Sequence, residues 1–237
     1  MVLVQAYHGN VAMMYPDPER FVPFEQRAAR ADNLTMKVWE AVQSAKAQLN
    51  GKAGVSWRGV PLMKDPWDIA MYPMIIWELR PRTIIELGAG SGGSALWMAD
   101  IITAFDLNTR IISAEINMGR VQVRDPRIEF VKFDLRKISS EQFPVAVREL
   151  PHPWLLIEDA HVNLVQVLEY FDRHVICGDY VIVEDTGNSP KHVILEQFMR
   201  QHGSRYRVDT HYVDNFGYNN TWNWNSILTC VMDPVTQ

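Results

Sequence analysis

Apolar positions along this chain change their rhythm near residue 55. Beyond residue 60, short β-branched runs alternate with longer stretches of helical period. Thr83–Leu87, Arg110–Glu115, Ile128–Phe133, Trp154–Glu158 and Tyr180–Glu184 read as buried strands. Pro66–Leu79, Gly92–Phe105, Val162–His174 and Lys191–Gln201 read as helices between them, with a kink or break expected at Pro73. Two further strand-like runs, Tyr206–Tyr212 and Ser226–Val231, fit an antiparallel addition at one edge. Strands alternating with helices predict an α/β fold: a doubly wound, mostly parallel, seven-stranded sheet covered on both faces.

Before residue 55 the chain is more polar and carries scattered turn formers, Pro16, Pro18, Pro23 and Gly51. One helix is predicted between Glu25 and Asn50, where Leu34, Val38, Val42, Ala45 and Leu49 recur at helical spacing and Gly51 sits at the C-cap position. A single apolar stripe needs a partner, either the body of the chain or another subunit. Residues 1–58 are therefore set apart as a helical extension, an oligomer contact or a substrate lid, and 59–237 as the main domain.

Composition narrows the class. The 237 residues are 47% hydrophobic and 22% charged, enough for a sizeable core. Lys and Arg number 23 against 28 Asp and Glu, a formal net charge of −5, so nucleic acid is not an expected partner. Two cysteines, Cys177 and Cys230, make no disulfide framework. No apolar run reaches a membrane span, and the first ten residues lack the pattern of a secretory signal, so a cytoplasmic location without membrane attachment is expected.

The most informative segment runs from Thr83 through Glu86-Leu-Gly-Ala-Gly-Ser-Gly-Gly-Ser94. A buried strand enters a turn holding Gly88, Gly90, Gly92 and Gly93, and a helix leaves it. Glycines let backbone approach a ligand closely, and strand, glycine turn and helix in this order make a nucleotide site. Glycine turns also arise from packing alone, so the partners matter. Glu115 ends the second strand, placed to accept hydrogen bonds from ribose hydroxyls, and Asp134 ends the third, within reach of an adenine edge. Glu86 would repel a pyrophosphate but can order the loop or attract an ammonium group. That favours S-adenosylmethionine (SAM), a cationic sulfonium amino acid, over NAD. Gly88, Ala89, Gly90, Ser91 and Ser94 form the predicted cradle, and Tyr72, with Trp67, just before the first strand, is a candidate to cover the cofactor.

A second acidic cluster is predicted where two strands end in Glu158-Asp159 and Glu184-Asp185. Ends of neighbouring parallel strands lie about 5 Å apart. Carboxylates gathered there repel each other unless a cation sits among them, and hard oxygen donors favour Mg²⁺. Asp159, Glu184 and Asp185 are the expected ligands, with Glu158 as the alternative to Asp159; solvated strand-end acids or helix caps are the plainer reading. His161 lies two residues beyond Asp159 and is a candidate general base, as well as a candidate cap or metal-shell residue; His192 is the reserve. His8, His152, His174, His202 and His211 are expected at the surface. Trp67, Tyr72, Trp77, Trp222 and Trp224 are core by default, and the polar run Asn219–Asn225 is a candidate substrate mouth.

With these residues in view, the chain resembles the cephalosporin hydroxylase family of class I, Rossmann-like SAM-dependent methyltransferases, which includes rhamnosyl O-methyltransferases and is related to macrolide-sugar O-methyltransferases. The resemblance runs from about Gly59 to Val231. It rests on Gly59-Val-Pro-Leu-Met-Lys-Asp-Pro-Trp-Asp68, Ile76-Trp-Glu-Leu-Arg-Pro81, the glycine turn, and Gly178-Asp-Tyr-Val-Ile-Val-Glu-Asp-Thr186. It implies Mg²⁺ held by Glu184, Asp185 and, by position, Asp159, and it implies a homo-oligomer. Two departures stand out. Glu158 replaces a shorter first acid after the fourth strand, and Thr186-Gly187 stands where some sugar methyltransferases have a histidine, which shifts weight onto His161 as base, with Asp159 beside it. The implied activity is O-methylation of a hydroxyl on a small natural product or sugar-bearing metabolite in antibiotic or related biosynthesis. Alternatives are N-methylation, support of a hydroxylation, cyclisation, or a non-catalytic SAM-binding partner subunit.

Overall fold

The computed structural model describes residues 20–27, 55–187, 190–215, 217–219 and 221–234. The helix predicted between Glu25 and Asn50 lies outside these residues except for its first three positions, where Phe24–Gln26 form a single 3-10 turn.

Among the described residues an eight-stranded sheet forms the centre, in the order β1-β9-β10-β8-β7-β4-β5-β6. The strands are β1 (Phe21–Val22), β4 (Thr83–Leu87), β5 (Arg110–Glu115), β6 (Ile128–Lys132), β7 (Trp154–Glu158), β8 (Tyr180–Val183), β9 (Tyr206–Asp209) and β10 (Ile227–Cys230); β2 (Ser56–Trp57) and β3 (Val60–Pro61) make a separate small hairpin. β6, β5, β4, β7 and β8 are parallel neighbours, while β10 pairs antiparallel with both β8 and β9. The architecture is the expected doubly wound α/β sheet with one more strand than the seven predicted. The extra strand, β1, is two residues long and pairs with β9, too short to show a period-two pattern.

Helices α1 (Pro66–Leu79), α2 (Gly93–Ala104), α3 (Leu164–Asp172) and α4 (Pro190–His202) flank the sheet, and α5 (Thr210–Val213) is one turn. Every residue of β4, β7 and β8 is buried, as expected of central parallel strands covered on both faces. α1 starts where the sequence places it because Asp65 caps it, accepting the amide of Asp68 at 2.8 Å, and Pro66 fills the first turn. The break expected at Pro73 does not occur; the helix runs through it to Leu79. The run Tyr206–Tyr212 is also not one strand. Asp209 accepts the amide of His211 and starts α5, so the strand stops at Asp209. No described helix is long and apolar enough to cross a membrane.

β4 pairs with β5 on one side and β7 on the other, so successive connections leave in opposite directions from this point of the sheet. A crevice opens there, outside the carboxyl ends of the strands, where ligands of such sheets bind.

Candidate active site

β4 delivers the chain into the glycine turn at that crevice. Gly88 has φ +107°, and a Cβ on it would lie 2.7 Å from the carbonyl oxygen of Asp159. The turn after β4 and the turn after β7 therefore touch backbone to backbone, tied by the Asp159 amide donating to the Leu87 carbonyl at 2.8 Å. At the other end, a Cβ on Gly93 would sit 2.0 Å from the Pro61 carbonyl oxygen, which fixes the start of α2 against β3. The Gly90 amide donates to Glu115 Oε2 at 2.9 Å, and the Asn117 amide donates to Glu115 Oε1 at 3.0 Å. Glu115 thus sits at the end of β5 with both oxygens oriented by backbone. Glu86 lies beneath the turn, fully buried, and accepts hydrogen bonds from the hydroxyls of Ser94 and Ser113. Burial pushes its carboxyl up from the ordinary range, against the pull of the two hydroxyls. Of its two predicted roles it takes the first: it orders the loop and does not line the cleft.

The cleft above this turn has a volume of about 460 Å³. Gly88, Ala89, Gly90, Ser91 and Ser94 lie along it, with Glu115 and Ile116 from the end of β5, Phe133 to Arg136 from the end of β6, and Asp159 to Val162 from the end of β7. Asp134 lines the cleft but is already engaged: its carboxylate accepts the Arg136 amide at 3.1 Å and pairs with the Arg136 guanidinium at 2.9 Å. Tyr72 is a correction. It does not cover the cleft; it is fully buried against Trp97, and its hydroxyl donates to Glu184. Tyr72, in the second turn of α1, faces the core, which overrides nearness in sequence.

One end of the cleft runs into the acidic strand ends. His161 Nε2 lies 3.3 Å from Asp159 Oδ1 and 3.4 Å from Asp185 Oδ2. One donor atom from each of the three falls within 4.8 Å of the others, the geometry of a candidate metal centre. His161 and Asp185 both adopt positive φ, +58° and +57°, so tight turns after β7 and β8 aim these side chains at each other. Glu184, a predicted ligand, is not in this group. It is buried, its Oε1 is 2.9 Å from Lys64 Nζ, and it accepts the Tyr72 hydroxyl. Glu158 is likewise withdrawn: Lys191 Nζ lies 2.7 Å from its Oε2, and the Ala160 and His161 amides donate to its Oε1. Of the two acids at the end of β7, Asp159 faces the cleft and Glu158 does not.

The charges here are mutually dependent. Burial would lift Asp159, but Lys64 and the hydrogen bond from His161 hold it at about 2. Burial lifts Glu184 above the usual carboxylate range although Lys64 opposes the shift. Lys64 is itself buried, yet Asp159 and Glu184 outweigh that burial and hold its ammonium charged well above the ordinary lysine value. His161 is raised, chiefly through its hydrogen bond to Asp159 and against the effect of burial.

Three contributors were not singled out from the sequence. Lys64 sits inside the Gly59–Asp68 segment, one residue before the Asp65 cap that fixes its position; the excess of strand-end acids was the signal that a cation belonged there. Lys191 compensates Glu158 from the start of α4. Asn223 accepts the Asp185 amide at 3.1 Å and donates to Asp68 Oδ1 at 3.1 Å, bridging the turn after β8 to α1. The polar run containing it is therefore no open mouth: Asn219, Thr221, Asn223 and Asn225 are buried and hydrogen-bonded within the fold. His192 does not join the cluster; its Nε2 lies 3.5 Å from Glu196 on α4. His152 pairs with buried Asp179 and stacks on Trp154, and Trp77, expected in the core, is half exposed against Phe105.

With this geometry in place, comparisons with known proteins converge. The family model described as Rhamnosyl O-methyltransferase/CmcI matches residues 51–223. The Rhamnosyl O-methyltransferase of Mycobacterium leprae is similar at 29% identity over 149 residues, 60% of this chain and 65% of that protein. That of Mycobacterium tuberculosis is similar at 26% identity over 150 residues, 60% of this chain and 61% of that protein. The matched stretch thus spans somewhat less than two thirds of these relatives. An apo structure of CmcI superposes with a TM-score of 0.65 at 26% identity, covering 76% of this chain and 77% of that one. A CmcI structure with Mg and SAM gives 0.64 at 27%, covering 76% and 77%.

Proposed function

The chain belongs to the Rhamnosyl O-methyltransferase/CmcI family, and from that premise we propose that it is a SAM-dependent, Mg²⁺-assisted O-methyltransferase acting on a hydroxyl of a small natural product or sugar-bearing metabolite. One observation carries the reading: a single cleft touches both the glycine turn and the Asp159-His161 end of the acidic cluster. A donor held over the turn then faces an acceptor held at the cluster. The similarity to a CmcI structure with Mg and SAM supports both ligands.

The residues fit these groups. Gly88 to Ser91 offer a backbone surface without side-chain obstruction, and Glu115 presents a carboxylate to ribose hydroxyls. Ile116, Phe133 and Leu135 offer apolar surface to a purine. For the metal, an oxygen of Asp159 and one of Asp185 lie within 4.8 Å of each other, so that one ion can reach both. Asp159 and Asp185 would hold the ion from two strand ends, leaving remaining positions to water and acceptor oxygens. Glu184 stands behind them, engaged by Lys64 and Tyr72.

When bound, SAM supplies an electrophilic methyl group and Mg²⁺ lowers the pKa of the acceptor hydroxyl. The chain's own part is positioning and proton transfer. The glycine turn would set the donor's depth in the cleft. His161, at the rim beside Asp159, would take up the hydroxyl proton as the acceptor oxygen displaces the sulfur at the methyl carbon. Bringing the two reactants together in line supplies a large share of the rate.

The test is the Asp185→Ala variant. It should lose Mg²⁺-stimulated turnover by at least a hundredfold while its SAM affinity, measured by calorimetry, stays within threefold of the parent. Equal turnover in EDTA would remove the metal from the reading. Absence of S-adenosylhomocysteine with every hydroxylated acceptor, despite SAM binding, would favour a non-catalytic binding subunit. Product fragmentation separates O- from N-methylation.

A further inference from the structure

Among the described residues, Met63, Ile116 and Val162 are large apolar side chains left exposed, and all three line the one cleft. Ile116 follows β5, at the donor end. The other two border the acidic end. Val162 directly follows His161 in the turn after β7, and Met63 directly precedes Lys64, whose ammonium lies 3.0 Å from Asp159 Oδ2. That ion pair ties the segment between β3 and α1 to the turn after β7. The cationic side chains of the cleft, Arg120 and Arg136, belong to the far side, beyond the ends of β5 and β6.

Met63 is the more telling of the pair. It is 56% exposed, between Leu62 and Lys64 at 3% each. Its φ is +57°, and among the described non-glycine residues with positive φ it alone carries an apolar side chain. Glycine at this point would relieve the strained backbone and expose no apolar surface. The turn is fixed on both sides, by the Leu62 amide donating to the Val55 carbonyl at 2.9 Å and by the Asp65 cap of α1. Strain and exposure are thus both kept at one cleft-lining side chain, as at a binding surface.

Resting on the methyl-transfer reading above, we propose that Met63 and Val162 determine acceptor specificity: they clasp an uncharged apolar ring or alkyl face beside the hydroxyl that is methylated, so that a diol on an apolar body is accepted and a freely hydrated polyol is not. Removal of that apolar face from water supplies the favourable contribution to binding. The unbranched, polarisable methionine adapts to ring faces of varied shape.

The experiment is a fluorescence titration with 2,3-dihydroxynaphthalene and with catechol, in the presence of Mg²⁺ and S-adenosylhomocysteine, on the parent, Met63→Gly, Met63→Leu and Val162→Ser. The two probes carry the same pair of oxygens and differ by one apolar ring. The parent should bind the naphthalene diol at least tenfold more tightly than catechol. Met63→Gly relieves the backbone, so its melting temperature should not fall, yet the preference should shrink at least fivefold. Val162→Ser should shrink it about threefold, and Met63→Leu should keep it. A side chain that merely held the turn would give the reverse, a lower melting temperature with the preference intact. Equal affinity for the two probes in the parent, no binding of either, an undiminished preference in Met63→Gly, or failure of that variant to fold overturns the proposal. So does a changed oligomeric state in Met63→Gly with the preference unmoved, which assigns Met63 to a contact between copies of the chain. Catechol binding that survives EDTA overturns the metal reading and leaves the apolar clasp standing, because the preference is a ratio taken on one pair of oxygens.

Discussion

Gly88 and Gly90 show at single-residue scale what the cleft demands of its floor. Both have positive φ, +107° and +55°, but only Gly88 is also crowded, with backbone of the Asp159–Ala160 turn within 3 Å of where a Cβ would stand. Nothing lies within 4 Å of the equivalent point at Gly90. An L-residue in the left-handed region costs about 1–2 kcal/mol. At Gly90 that is the whole cost. At Gly88 the added carbon must also push β4 and β7 apart, where the Asp159 amide bonds the Leu87 carbonyl. Gly88→Ala is therefore expected to lose about 3 kcal/mol or more in urea unfolding and to weaken SAM binding at least tenfold, with Gly90→Ala losing about 1 kcal/mol. Equal losses at the two positions would mean that backbone contact between the two turns does not matter.

At the scale of elements, the segment between α5 and β10 decides how the acidic turn is held. Asn223 joins the amide of Asp185 to the carboxylate of Asp68, so a buried side chain couples the turn after β8 to the first turn of α1. Asn223→Leu leaves both groups buried without that partner, at roughly 1–3 kcal/mol each. It should lower the melting temperature and weaken Mg²⁺ binding through misplacement of Asp185, with SAM affinity unchanged; calorimetry on the two ligands checks the split. Much of the element order was legible in the sequence because parallel strands buried on both faces are continuous apolar runs, as in Ile84-Ile85 and Leu155-Leu156-Ile157. Pro66 likewise marked the start of α1. Illegible were the features that depend on contacts distant in sequence. The polarity of this run suggested exposure, yet Asn219, Thr221 and Asn223 accept backbone amides, and Asn223 and Asn225 bond the side chains of Asp68 and Arg27. Trp77 read as core because composition does not say which face of α1 meets the sheet. The Glu184-Asp185 pair announced its acidity but not that the turn after β8 would send Glu184 inward to Lys64 and leave Asp185 at the rim.

Across the whole molecule, carboxylates fall into two groups whose opposing shifts shape stability against pH. On the outside, Asp125 accepts hydrogen bonds from the Arg127 guanidinium and amide, which hold it down from 3.8 to about 2. Its folded value lies below its unfolded one, so its contribution is present above about pH 4 and is lost as pH falls towards 2. Asp100, lowered by Trp57 and Arg127 against a burial effect of opposite sign, adds to the same loss. Inside, Glu86 is raised by burial, and Asp179 is raised by burial despite bonds from the Ile176 and Trp154 amides. For these two the folded state keeps a proton that the unfolded chain has released, so stability declines as pH climbs above their ordinary values, 4.5 and 3.8, until the raised folded values are passed. The two groups thus act on opposite limbs of the pH profile. Glu86→Gln separates them: it cannot ionise, retains a carbonyl to accept from Ser94 or Ser113, and removes a cost that rises with pH beneath the glycine turn. In scanning calorimetry the difference in melting temperature between pH 5 and pH 8 should shrink in this variant, while the acid limb below pH 4, to which Asp125, Asp100 and Asp159 contribute, keeps its position. A variant whose alkaline limb matches the parent would show that Glu86 is ionised in the folded protein at no cost. The charge lying under the donor cleft would then be a full negative one.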